Sequence, residues 1–209
     1  MPEPVKILCM YSGGLDSLGA LYTLLTDPAY QRFALHVHHL HLRNIEKRTT
    51  AELTAVKNTL RYFRDHGYRK FFYTESSHDY AFMRKYFIFD TYWYAFLAAN
   101  IITADPGIRH VAVGRTRTDT ENAGSMVNAR RGHEIFHATL PLELRFERSY
   151  IYPVAKMSKK DIWEMLPPDL RVLSWSCRRP VVNSEALQPC GQCHTCKEMA
   201  KIREQEQEA

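Results

Sequence analysis

Two stretches of this chain carry residue types at spacings that chemistry requires. The first is Tyr11-Ser12-Gly13-Gly14-Leu15-Asp16-Ser17. Adjacent glycines let a backbone turn sharply and approach a ligand closely. Free amides in such a turn, the Ser12 and Ser17 hydroxyls and a helix start together cradle a polyanion. An ordinary strand-to-helix turn can also read Ser-Gly-Gly. The placement after the first apolar run, and the acid at Asp16, favour a phosphate site. Asp16 would repel phosphate unless it binds Mg²⁺ or orients the loop. The Gly-Lys-Ser/Thr of a Walker loop is absent, which argues against a kinase or GTPase of that class.

The second stretch is Cys177-x12-Cys190-x2-Cys193-x2-Cys196, four of the five cysteines of the chain. Four thiolates close a tetrahedral zinc site with no open position, which points to a structural Zn²⁺. A redox pair would account for one CxxC but not for the other two cysteines. An iron–sulfur cluster is the alternative occupant. His194 should project outward, since four sulfurs fill the shell. The metal should tie the end of the chain onto the domain and hold Trp175 and Arg178 near the sheet. Cys9 stands alone in an apolar run.

Other polar residues are read more plainly. Lys159 either neutralises phosphate charge or is solvated surface. Asp119 either serves a metal or substrate edge or caps a loop. His36, His38, His39 and His41 alternate, so His39 and His41 share one face of a strand and His36 and His38 the other. They read as core or crevice-lining groups, one of which could touch a base. Arg130-Arg131 and Arg178-Arg179 read as solvated surface.

These residues need elements to position them. Val5 to Met10 is a short apolar run, and Leu18, Leu21, Tyr22 and Leu25 then form one helical face. Phe33 to Val37 reads as a second strand. Leu53, Val56, Leu60 and Phe63 form a second helical stripe, ended by Gly67. Lys70 to Thr74 is a third strand. A long helix should follow with Phe89, Trp93, Phe96, Leu97 and Ile101 in register, and Tyr92 and Tyr94 in the core. His110 to Gly114 is the fourth strand. Gly114 to Glu134 reads as a functional loop or lid. Ser158 to Asp161 is a capping-box start for a helix through Leu166, stopped by Pro167-Pro168. The charged tail from Lys197 to Ala209 ends as a fraying helix.

This alternation implies α/β architecture: a three-layer, doubly wound parallel sheet. Its ligand crevice lies beyond the carboxyl ends of the strands, where Ser12, the His38–His41 stretch and Gly114 fall. The expected division is a nucleotide-binding domain over 1–166 and a small zinc-binding segment over 167–209, packed on it. The composition, 45% hydrophobic and 24% charged, excludes disorder, collagen and coiled coil. A net charge of +5 admits an anionic ligand without choosing one. No apolar run reaches the ~18 residues of a membrane span, and Met1 to Gly14 lacks the pattern of an export signal. The expected setting is cytoplasmic, with no membrane partner.

Ser12 to Ser17 resembles the SGGxDS loop of the PP-loop ATP pyrophosphatases. Ser174-Trp175-Ser176-Cys177 with Cys190-Gly191-Gln192-Cys193-His194-Thr195-Cys196 resembles the ending of the 7-cyano-7-deazaguanine (QueC-type) synthases. Tyr152-Pro153 through Ile162, Arg48 with Glu52-Leu53, and Gly114 with Asp119 are similar to further segments of that family. The family's Tyr-Pro-Asp-Cys-Arg stretch after Asp119 is replaced here by Asn122 to Val127. Its Gly-Arg-Asn helix start is missing near Phe89-Asp90-Thr91.

The resemblance implies a ligase that forms carbon–nitrogen bonds with ATP, Mg²⁺ and Zn²⁺. A 7-carboxy-7-deazaguanine and ammonia would give the amide or nitrile, with AMP and pyrophosphate released. Ser12, Gly13, Gly14, Leu15, Asp16, Ser17 and Gly114 would hold the nucleotide. Asp16, Lys159 and Asp119 would be catalytic, and Arg115 or Arg117 would pair with the substrate carboxylate. No direct nucleic-acid contact is expected. The protein partner left open is a second copy of the chain. Two other readings stand: a PP-loop enzyme acting on another acceptor, tRNA included, and a binding module without catalysis.

Overall fold

The computed structural model describes residues 4–83, 88–183 and 186–207. The chain runs β1 (Lys6–Met10), α1 (Leu15–Thr26), β2 (Ala34–Arg43), α2 (Thr49–Asp65), β3 (Phe72–Asp79), α3 (Asp90–Ala104) and β4 (Ile108–Ala112). It continues through α4 (Arg117–Glu121), α5 (Ala123–Thr139), β5 (Ser149–Ile151), α6 (Lys159–Met165) and α7 (Pro168–Arg171). The hairpin β6 (Val181–Asn183) and β7 (Ala186–Gln188) and the helix α8 (His194–Gln207) complete it.

β1 to β5 form one parallel sheet in the order β3-β2-β1-β4-β5. The chain leaves β1 toward β2 and β3, then returns to β4 and β5. The order therefore reverses between β1 and β4, where such sheets open a crevice. The α/β fold expected from the sequence is present.

Side chains alternate across β1, and each parity feeds a different core. Ile7 and Cys9 pack with Leu18 and Leu21 of α1, Val56 and Phe63 of α2, and Ile162 of α6. Leu8 and Met10 pack with Ala95, Ala98, Ala99 and Ile102 of α3 and Phe136 of α5. Both faces of the strand are dry, which is why its sequence is continuously apolar. Met199 and Ile202 of α8 join the first core. Trp163 of α6 donates to Glu206 at 2.8 Å, and Arg171 stacks on its ring at 4.7 Å. No helix among the described residues is long and apolar enough to cross a membrane.

Several local expectations change. The buried face of α3 is made of alanines and Ile102, not the aromatic stripe. Phe96 and Phe89 are about half exposed, while Trp93, Tyr94 and Leu97 pack against Leu40, Leu42 and Tyr80. Small side chains let α3 lie close to β1, and the aromatics fill the wedge beside it. Gly114 to Glu134 is not a lid: it holds α4 and most of α5. The starts of these two helices carry a Thr116–Asp119 capping box and an Asn122 side chain that accepts from Ser125 N–H. α5 buries only Gly132 and Phe136, so it has little apolar periodicity to read. β2 extends through the histidines to Arg43, and β3 starts at Phe72. The fraying end of the tail at Glu208 and Ala209 lies outside the described residues.

The loop after β4 meets the start of α1 at Gly114. A Cβ added there would lie 2.4 Å from Ser17 N and 2.5 Å from the Asp16 carbonyl oxygen. Both obstacles are backbone, so neither segment can step aside cheaply. Gly114→Ala should destabilise the protein by about 2 kcal/mol and lower its thermal midpoint in a melting experiment. An unchanged midpoint would mean that the two segments do not pack this closely.

Candidate active site

The turn after β1 is built as a cradle. Gly13 adopts φ +80°, and a Cβ there would strike Val56 and the Glu52 carbonyl of α2. The Ser12 and Ser17 hydroxyls lie 2.9 Å apart, and Ser17 Oγ also donates to Gly14 O at 2.9 Å. Gly14 is the N-cap of α1 and supplies no capping side chain. The first-turn amides of α1 are thus left to ligands or neighbours. The C-terminal segment closes the turn from above. Trp175 N–H donates to Gly13 O at 2.9 Å, and Leu15 N–H reaches Ser176 Oγ at 3.4 Å.

Asp16 and Lys159 meet beside this cradle. Lys159 Nζ lies 3.6 Å from Asp16 Oδ2 and 2.7 Å from Glu198 Oε2 of α8. Asp16 Oδ1 is buried and has no hydrogen-bond partner among the described residues. Burial pushes the Asp16 carboxyl up to about 6; Lys159 opposes this, and Asp119 and Glu198 add to it. Burial alone would depress Lys159, but Asp16 and Glu198 hold its pKa above the ordinary range. The lysine stays charged and reaches the site through Asp16.

A cavity of about 620 Å³ extends from Ser12, Asp16, Ser17 and Gly114 across the ends of β4 and β5. Asp119 lines it, with Oδ2 engaged by the Thr116 amide and hydroxyl at 3.1 and 2.9 Å. Arg115 lines it too and donates to Asp119 O at 2.8 Å, whereas Arg117 is exposed and not part of the lining. Asp90, Asn128, His133, Tyr150 and Tyr152 complete the far end. Sequence reasoning gave these five no role. They come from α3, α5 and the end of β5, with no short motif to mark them.

A second charged cluster braces the rim. Arg48 donates to Glu46 at 2.8 Å and also binds Glu52 and Asp90. Arg178 forms a two-pronged pair with Glu46 at 2.8 and 2.9 Å. Arg178 is thus ion-paired while its side chain stays 42% exposed, and Arg130, Arg131 and Arg179 are exposed as expected. The histidines fall on the faces expected: His36 and His38 share Thr74, and His39 and His41 are in ring contact at 4.4 Å.

Cys177, Cys190, Cys193 and Cys196 converge, with all four sulfurs within 4.8 Å of one another. The Cys190 and Cys196 sulfurs are 3.9 Å apart. A tetrahedral ion with Zn–S of ~2.3 Å needs sulfur pairs at roughly 3.8 Å, so the donor set fits one soft ion. Amide N–H groups of Cys190 and Cys193 point at the sulfurs of Cys177 and Cys190 at 3.3 Å, which favours thiolate. His194 is exposed and outside the group, as expected. This knot anchors Trp175 and Arg178, and α8 carries Glu198 from it to Lys159.

Two predictions follow from this geometry. The Asp16 pKa rises from 3.8 unfolded to about 6 folded. Its stabilising contribution is then present at low pH and lost as pH rises through about 6. Asp16→Asn should melt higher than wild type near pH ~7.5 without ligand, and the gap should narrow toward pH ~4.5 and close only below 3.8. A gap independent of pH would refute the buried, ionised Asp16. Separately, freshly purified protein should hold one metal ion per chain. Cys193→Ser should lose it and melt more than ~5 °C lower. Metal-free wild type of equal stability would show that the four sulfurs are no metal site.

No family model matches the chain, and no curated protein matches its sequence. Solved structures do match its fold. One is the U34-tRNA thiolase NcsA from Methanococcus maripaludis, with its 4Fe-4S cluster, at a TM-score of 0.53. Sequence identity is 16%, and the match covers 99% of this chain and 67% of that one. At that identity the likeness establishes the α/β fold and nothing finer.

Proposed function

We propose that the chain is an ATP-dependent enzyme that transfers AMP to a carboxylate and releases pyrophosphate. The observation that carries this reading is the cradle of Ser12 to Ser17 beside Asp16 Oδ1, a buried oxygen with no partner among the described residues. That oxygen suits a Mg²⁺ ion arriving with ATP, which would neutralise phosphate charge when bound. Lys159 supplies a fixed positive charge behind it. Such a site acts by positioning and charge stabilisation rather than by a protein nucleophile.

In the finer reading, a carboxylate oxygen of 7-carboxy-7-deazaguanine attacks the α-phosphorus. The bond from that phosphorus to the bridging oxygen breaks, and pyrophosphate leaves. Ammonia attacks the acyl carbon, and AMP leaves with the former carboxylate oxygen. The amide oxygen then attacks the α-phosphorus of a second ATP, a second pyrophosphate leaves, and loss of AMP and the nitrogen's two protons gives the nitrile. Arg115, which lines the cavity, would pair with the carboxylate before attack. The cysteine group would hold Zn²⁺, away from the reacting atoms, and positions Trp175, Ser176, Arg178 and Glu198 around the site.

A second reading, sulfur transfer to tRNA, is favoured by the fold shared with the tRNA thiolase. The cysteines oppose it. A four-iron cube spreads its thiolates farther than a single ion does, and these four sulfurs are drawn together. Cys9, the remaining cysteine, is 1% exposed, and burial pushes its thiol up to about 12. It is protonated and out of reach as a nucleophile.

The test is product analysis with Mg-ATP, ammonium and 7-carboxy-7-deazaguanine. AMP, pyrophosphate and an amide or nitrile are expected. ADP with phosphate, or thiolated tRNA formed in preference, would overturn the reading. Asp16→Ala should slow turnover at least about tenfold, equivalent to ~1.4 kcal/mol at the transition state.

A further inference from the structure

The far end of the cavity holds an unmatched acceptor and a flat wall. Asp90 opens α3 with its side chain held from one side only. Oδ2 receives Arg48, with Arg178 at 3.7 Å. Oδ1 is buried and has no hydrogen-bond partner among the described residues. A carboxylate oxygen kept from water without a donor is costly, and a ligand donor would remove that cost. Asp90 lines the cavity, so a molecule inside can reach it.

Facing the same space are three nearly parallel rings. His133 and Tyr150 stack at 4.5 Å and 12°, and Tyr150 and Tyr152 lie within 11° of each other. The wall is fixed: His133 Nε2 and the Tyr152 hydroxyl are hydrogen-bonded at 2.5 Å. α5 brings it against α3 at Gly132, where an added Cβ would lie 2.9 Å from Thr91, next to Asp90. Asn128 adds an amide NH₂ to the lining, its carbonyl already accepting from Tyr92. Parallel rings accept a flat π-system, and the lone carboxylate oxygen accepts an N–H.

We propose that this end of the cavity is the acceptor subsite, taking a planar nitrogen heterocycle that stacks on the ring wall and donates an N–H to Asp90 Oδ1. Asp90 thus offers a second edge-reading carboxylate in the cavity beside Asp119, whose Oδ2 is held by the Thr116 cap. The subsite rests on the reading of Ser12 to Ser17 as the ATP end of the same cavity.

Calorimetry on the purified full chain tests it. The probes are 7-carboxy-7-deazaguanine and its 1-methyl, 2-dimethylamino analogue, whose pyrimidine edge has no N–H. Wild type should bind the parent compound about tenfold tighter or more. Asp90→Asn should erase that preference, and Tyr152→Leu should weaken both probes alike. Binding of a Mg-bound, non-hydrolysable ATP analogue should be unchanged in both variants. Equal affinity of wild type for the two probes, binding of neither, or a preference kept in Asp90→Asn would overturn the proposal. If Asp90→Asn does not fold, wild-type discrimination and Tyr152→Leu still decide. If the heterocycle binds and the ATP analogue does not, the ATP reading fails and the subsite stands.

Discussion

The carbonyl of Gly13 accepts the Trp175 amide at 2.9 Å, and this bond, backed by Leu15 N–H to Ser176 Oγ at 3.4 Å, joins the two ends of the chain at the site. Gly13 needs φ +80° to present that carbonyl, and α2 packs tightly beneath it. From the other side Gly114 presses on the backbone of Asp16 and Ser17. The turn is therefore gripped by α2, by the loop after β4 and by the segment leading into Cys177. A cradle held this way is shaped before any ligand arrives, which is what stabilising transferred charge requires.

The buried charges fit the same logic. Asp16, Lys159 and Glu198 form one line, and Glu46, Arg48, Glu52, Asp90 and Arg178 a second. Such groups lose hydration and rarely stabilise a fold better than apolar side chains would. Here each line ends in a carboxylate oxygen without a partner among the described residues, Asp16 Oδ1 and Asp90 Oδ1, and both residues border one cavity. Stability is spent where charge is useful. The four cysteines lead directly into α8, which sets Glu198 against Lys159.

Much of this was legible in the sequence because it is local. Ser12 to Ser17, the cysteine spacing, the Ser158–Asp161 capping box and the first two helical stripes are each carried by one continuous stretch of chain. What escaped is set by tertiary packing. The aromatics of α3 look like a core stripe, yet Ala95, Ala98 and Ala99 make the close contact, because a tight helix–strand approach favours small side chains. α5 packs through Gly132 and Phe136 alone, too little to give a period. β5 is three residues long, and no strand pattern survives at that length. Asp90, His133 and Tyr150 lie on three elements and meet only once the sheet is assembled.

On the proposed reading, one cavity spans a phosphate cradle at Ser12–Ser17 and an acceptor end over β4 and β5. A crystal structure with a Mg-bound, non-hydrolysable ATP analogue tests it most directly. The β- and γ-phosphates should lie on the amides of Gly13 to Leu15 and the Ser12 and Ser17 hydroxyls, with Mg²⁺ on Asp16 and the space beside Asp90 left open. Phosphates bound elsewhere, or a nucleotide base filling the space between Asp90 and Tyr152, would contradict it.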